Sequence, residues 1–233
     1  SYTFLMNELV HSRTRAATNV AAEAPPARAN NAERTMADIL AVATLEFGEK
    51  GLSGARIDEI AAATRTSKRM IYYYFGSKEG LYIAVLEASY QRVRATEAAL
   101  HLENLAPEAA LRTLVGFTFD HHQRNQAYIR LVMSENIERG QFISRSRKIQ
   151  ELNVPAIAAI RNLYERGVTE GTFRPGLDPL DIHASISALS FFNVANQHTF
   201  GAIFKHDMQN PAHLAARREA VIEMLVRYVR IAV

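Results

Sequence analysis

The sequence predicts an all-α protein: a three-helix, helix-turn-helix domain near the N-terminus, followed by a larger helical part. Three observations carry this. Apolar residues recur at spacings of three and four along most of the chain. Capping and breaking residues punctuate those runs, and no stretch reads as a strand.

The first thirty residues pass from a mixed apolar stretch into an Ala-rich segment broken by Pro25-Pro26, which reads as an N-terminal arm over 1–30 carrying Arg13, Arg15 and Arg28. The chain opens without an initiator Met, which suggests a trimmed or engineered start. Between Ala32 and Phe47, Met36, Ile39, Leu40, Ala43 and Phe47 form an apolar stripe, and Gly48 and Gly51 are expected to close the helix. A second, short helix comes next, with Ile57, Ile60 and Ala61 on one face and Asp58 and Glu59 in the first turn, where the helix dipole favours anions. It ends near Ala63. Thr66 or Ser67 can cap the next helix, to about Tyr74, and Ser77 can cap one that starts at Lys78. Further helical patterns are expected at about 107–123, 126–138, 148–167, 179–199 and 212–231. Asp178-Pro179 with Asp181 marks a firm start; Pro155 either starts its helix late or kinks it.

Composition narrows the function classes. With 233 residues the chain can bury a real core, and with no cysteine it has neither disulfides nor a thiolate nucleophile, which suits a reducing cytoplasm. Hydrophobic residues make up 48% of the chain but never run uninterrupted for the roughly 18 positions of a spanning helix, so no membrane partner is expected. A net charge of +3 is too mild to define a polyanionic partner by itself. Its distribution says more: from Thr64 to Lys78 there are four cations, Arg65, Lys68, Arg69 and Lys78, and no acid.

The stretch "TSKRMIYYYF", residues 66–75, holds two cations, a Met and three consecutive tyrosines on about two turns of helix. In a helix-turn-helix unit the second helix lies in the DNA major groove with its first residues at the base edges. Lys68, Arg69 and Met70 would start that helix, where cations meet guanine O6/N7 or phosphate and a thioether meets a thymine methyl. Of Tyr72, Tyr73 and Tyr74, one should pack inward while another donates its hydroxyl to a phosphate. Lys78 adds an ammonium to a helix N-terminus that already attracts phosphate.

The span "ADILAVATLEFGEKGLSGARIDEIAAATRTSKRMIYYYFGSKEGLYIAVL" resembles the DNA-binding domain of the tetracycline-repressor (TetR) family. Phe47, Gly51, Ile60-Ala61, Ala63, Ser67, Ile71-Tyr72, Tyr74-Phe75, Ser77-Lys78-Glu79 and Leu81 occupy the positions of that family's pattern. The resemblance implies DNA contacts from Ser67, Lys68, Arg69, Met70, Tyr72 and Tyr73, a phosphate clamp at Lys78 and a further contact at Arg56. The turn departs from the pattern: Arg65 replaces the usual glycine, at a cost of about 1 kcal/mol for a left-handed conformation, and Thr66 replaces a small apolar residue. Arg65 is therefore a candidate phosphate contact too.

The resemblance also implies a boundary, with residues 31–77 as the DNA-binding domain and 78–233 as a ligand-binding and dimerisation domain. The helix over "DIHASISALSFFNVANQHTF" is apolar or small on nearly every side and must be covered all round. A second subunit is expected on the face of Ala184, Ala188, Phe191 and Ala195, joined by Val221, Leu225 and Tyr228 of the last helix in a four-helix interface. Polar and aromatic groups embedded in apolar helices, Phe117, His121, Tyr128, Met133, Phe192, Asn193 and Gln197, are the candidates to grip a small organic effector. His121 and His122 diverge by ~100° on a helix, a poor arrangement for a shared metal, and no cofactor is expected. The expectation is a homodimeric repressor on a palindromic DNA operator, released by its effector. An activator or a non-inducible DNA-binding protein is the alternative on the same scaffold. An enzyme is disfavoured because G-x-S-x-G, H-E-x-x-H, P-loop and dinucleotide-binding signatures are absent.

Overall fold

A computed structural model describes residues 27–231, with side chains from 31. The arm expected over 1–30, with Arg13, Arg15 and Arg28, falls outside the described residues apart from the helical backbone from Ala27. The chain divides at Arg34, and Thr35–Val233 form one unit. The order is α1 (Ala27–Gly54), α2 (Ile57–Ala63), α3 (Lys68–Phe75), α4 (Lys78–Ala98), α5 (Pro107–Arg124), α6 (Gln126–Ile137), α7 (Arg147–Thr169), α8 (Pro179–Ala195), α9 (Gln197–Phe204) and α10 (Pro211–Val229). Short 3-10 turns precede α5 and α7, and no strand longer than an isolated bridge occurs among the described residues.

Local chemistry places most boundaries. Ser67, Ser77, Ser146 and Asp178 each accept a hydrogen bond from a backbone N–H in the first turn of α3, α4, α7 and α8. Pro179 and Pro211 occupy first turns, where a missing N–H costs nothing. The region expected as one helix to about 199 breaks at Asn196 and resumes as α9. Helix α7 runs through Pro155 rather than starting after it, which leaves the Glu151 carbonyl without its usual donor.

Two cores organise the chain. The first joins α1, α2 and α3 (Ile39, Ala43, Phe47, Ile60, Ile71) to the N-terminal half of α4 (Leu81, Tyr82, Val85, Leu86), and it reaches Leu131, Phe142 and Ile149. Tyr82 bridges the Phe47 and Phe142 rings edge-on, at 5.2 and 5.4 Å. The second core is built from α5, α7, α8 and α10, around Leu111, Leu114, Phe119, Ile160, Ile186, Val221 and Leu225. Gly48 is not a helix stop, as its type suggests, but a point of close approach. It lies inside α1, and a methyl group there would stand 3.1 Å from the Ala127 backbone of α6. The break in α1 falls at Gly51, where φ is +67°.

Candidate DNA-reading helix and effector cavity

Helix α2 ends in a tight reversal. The Thr66 N–H bonds the Ala61 carbonyl at 3.0 Å and the Arg65 N–H bonds that of Ala62 at 3.2 Å, with Arg65 left-handed at φ 52°. The expected departure from glycine is therefore accommodated by strain. From this turn α3 emerges with only Ile71 fully buried. Ser67, Lys68, Arg69, Tyr72 and Tyr73 are exposed, Tyr73 at 77%, while Met70 is half-buried. Tyr74 is the tyrosine that packs inward, against the first core, and its ring also meets Tyr73 edge-on at 5.4 Å. Arg56 and Arg65 are exposed beside this surface.

Two features escaped the linear reading. Asp58 of α2 forms an ion pair with Lys68 and stands 3.8 Å from Arg56, so the cationic stripe has an acidic neighbour ten residues away in sequence. Exposed pairs of this kind are worth about 0–1 kcal/mol, and Lys68 can exchange its carboxylate for phosphate. Lys78 donates to the Ser53 carbonyl at 3.3 Å, tying the start of α4 to the end of α1. Arg65 and Arg69 have no acidic partner among the described residues.

Beside the second core a cavity of about 200 Å³ lies among α4, α5, α6, α7 and α8. Of the candidate effector contacts, Phe117, His121 and Tyr128 line it, whereas Met133, Phe192, Asn193 and Gln197 do not. Asn193 is buried and Gln197 donates to Gln126 at 3.2 Å. Phe192 is exposed and packs edge-on against Phe200; its neighbour Phe191, expected at a subunit interface, lines the cavity instead. The reason is helical phase: His183, Ser187 and Phe191 form the cavity stripe, and Ala184, Ala188 and Phe192, one residue or 100° further on, form an exposed one. Ala195 is half-buried. Similarly Val221 and Leu225 sit inside their own core rather than on an outer face; Met224 and Tyr228 are the exposed large hydrophobic residues of α10.

The cavity also holds charges that sequence reading missed. Arg94 and Glu97 share one face of α4 with Tyr90 and Val93, and an Arg–Glu pair three residues apart looks in sequence like an ordinary solvated pair. Burial holds the Glu97 carboxyl above the usual carboxylate range, against the pull of Arg94. Burial and then the Arg94 charge lower the pKa of His121 and His183; burial and then its neighbour His121 depress His122 to about 4. All three imidazoles are neutral near pH 7, each with one donor and one acceptor nitrogen.

A short capped helix behind a tight turn, with its core side buried and its outer side cationic and phenolic, defines a helix-turn-helix DNA-binding protein. Comparison with known proteins agrees. Residues 39–85 match the family described as bacterial regulatory proteins, tetR family, and residues 107–225 match the tetracyclin repressor-like C-terminal domain. The HTH-type transcriptional repressor NicS of Pseudomonas putida is 35% identical over 181 residues, 78% of this chain and 85% of that protein. The HTH-type transcriptional repressor SCO4008 of Streptomyces coelicolor is 33% identical over 141 residues, covering 60% of this chain and 70% of the other. The crystal structure of a tetR-family regulatory protein from Rhodococcus RHA1 shares the fold at a TM-score of 0.67 and 22% identity, covering 86% of this chain and 99% of that one. The chain belongs to the TetR family of bacterial transcriptional regulators, a family of regulators rather than enzymes.

Proposed function

We propose that this protein is a homodimeric repressor that holds a palindromic operator through the α3 helices of its two subunits and releases it when a small organic molecule enters the cavity. The carrying observation is the outer surface of α3, where Lys68, Arg69, Tyr72 and Tyr73 stand in solvent while Ile71 anchors the helix from behind. Ser67, Met70, Arg56, Arg65 and Lys78 complete the surface offered to one half-site. Repression, rather than activation, is supported by relatives that are named as repressors.

Dimerisation is supported by the uncovered apolar stripe on α8 and α10. Leu180, Phe192, Met224 and Tyr228 are 55%, 39%, 40% and 38% exposed, and Ala184 and Ala188 between them allow close approach. A two-fold dimer matches half-sites about 34–36 Å apart. Helix α4 supports the coupling, because it carries Lys78 at its start and Arg94 and Glu97 sixteen and nineteen residues on, roughly 24–29 Å along its axis. A ligand that prefers one posture of α4 shifts the population in which both α3 helices fit the duplex. Selection of duplexes from a random library with purified protein tests the DNA half of this reading. A palindrome should emerge for the wild type and not for Lys68→Ala. Recovery of the same palindrome by the variant, or of no sequence by either, would refute it.

A further inference from the structure

Buried polar atoms in folded proteins nearly always have partners, so a cluster of orphans around one cavity calls for a missing group. Four such atoms belong to residues lining this cavity: Arg94 Nε and Nη1, His121 Nδ1 and His122 Nδ1. Arg94 Nη1 is 2.9 Å from Glu97 Oε2, close enough for an ion pair, but too poorly aligned to count as a hydrogen bond. The guanidinium is therefore a permanent charge with unused donors. Its acidic neighbour in the cavity is a carboxyl that burial drives toward neutrality, and its histidine neighbours carry no charge near neutral pH. Aromatic rings form part of the wall: Tyr128 and Phe191 meet His121 and His122 edge-on at 5.9 and 6.2 Å, and Phe117 lies tilted against His121 at 5.7 Å. A cavity of about 150 Å³ holds benzene, so about 200 Å³ suits one ring with one or two small substituents.

We propose that the effector is a single-ring aromatic monocarboxylate, its carboxylate taken by Arg94 in place of Glu97 and its ring held among the aromatic walls, with a hydroxyl within reach of the histidines. This rests on the reading of the cavity as the effector site. A neutral polar ligand would satisfy the imidazoles but offer no charge to the Arg94 donors that Glu97 leaves unbonded.

Calorimetry with 4-hydroxybenzoate and its neutral counterpart 4-hydroxybenzamide tests the charge requirement, on the wild type, Arg94→Gln and Glu97→Gln, each first shown to unfold cooperatively. The wild type should prefer the acid by about ten- to a hundredfold, the range of a charge-assisted hydrogen bond. Arg94→Gln should erase that preference. Glu97→Gln, which removes the internal competitor and keeps the guanidinium, should bind the acid at least as tightly as the wild type. Equal affinity for acid and amide, binding of neither, or an acid preference that survives Arg94→Gln would overturn the assignment. The selected operator, titrated into the same preparations, separates the two failures. Protein that binds operator but shows no acid preference loses the effector class alone, whereas protein that recovers no operator loses the regulator reading itself.

Discussion

Substituting Gly80 by Ala asks how rigidly α3 is presented. Gly80 lies in the first turn of α4, and a methyl group there would sit 2.1 Å from the Phe75 carbonyl oxygen at the end of α3. Real side chains tolerate no approach under 3.0 Å, so the end of α3 and the start of α4 must separate by about 1 Å. The obstacle is backbone, which cannot rotate aside, and it already accepts the Ser77 N–H at 2.9 Å. Overpacking of this kind costs about 1–3 kcal/mol. For a chain of this size that lowers the melting temperature by roughly 2–12 °C. Gly76→Ala is the internal control: its backbone, at φ +76° and ψ −55°, would strain an alanine by about 1–3 kcal/mol, yet a methyl there meets nothing within 4 Å. Thermal unfolding and gel-shift titration of the selected operator should show both variants destabilised, with Gly80→Ala losing at least tenfold more DNA affinity than Gly76→Ala. If Gly80→Ala unfolds and binds like the wild type, the close helix contact does not position the reading helix.

Three further outcomes are expected. Arg65→Gly relieves a left-handed arginine and should stabilise the chain by about 0.5–1 kcal/mol in urea titration, while lowering the slope of log affinity against log salt by about 0.9 as one phosphate contact goes. His122 binds its proton near pH 4 when folded and near 6.5 when unfolded, so its contribution is constant above pH 6.5 and stability falls as the unfolded chain protonates below it; about 2 kcal/mol should be lost between pH 7 and 5, and His122→Gln should flatten that fall. Met224→Glu places a charge on the exposed stripe without touching the core and should convert dimer to monomer in analytical ultracentrifugation at micromolar concentration, with unchanged helicity.

What was legible in the sequence is what is decided locally. Ser67, Ser77 and Asp178-Pro179 cap helices through bonds spanning two or three residues, and the left-handed Arg65 results from a turn whose geometry is set by its own neighbours. The cationic, phenolic helix α3 was legible because its outer surface remains wet and no acid lies within the helix itself, whereas the Asp58 partner of Lys68 comes from α2. The cavity was only half legible. Phe117, His121 and Tyr128 stand out as polar or aromatic groups in apolar runs, but Arg94 and Glu97 acquire meaning only when α5, α7 and α8 close over α4. Phase was the weakest signal. A step of three or of four residues from Ala188 reaches Phe191 or Phe192 with equal plausibility, and packing alone sends one into the cavity and the other into solvent. Gly48 was misread for the same reason, since the α6 backbone that requires it lies about eighty residues away.

Tyr73 of α3 and Ile137 of α6 are equally exposed, at 77% each, which allows a direct comparison of two surfaces. A benzophenone amino acid placed at either position and irradiated with the selected operator reports which surface faces the duplex. Cross-links to the operator from position 73, and none from position 137, are the expected result. Cross-links from position 137 alone, or equally from both, would contradict the assignment of α3 as the helix that reads DNA.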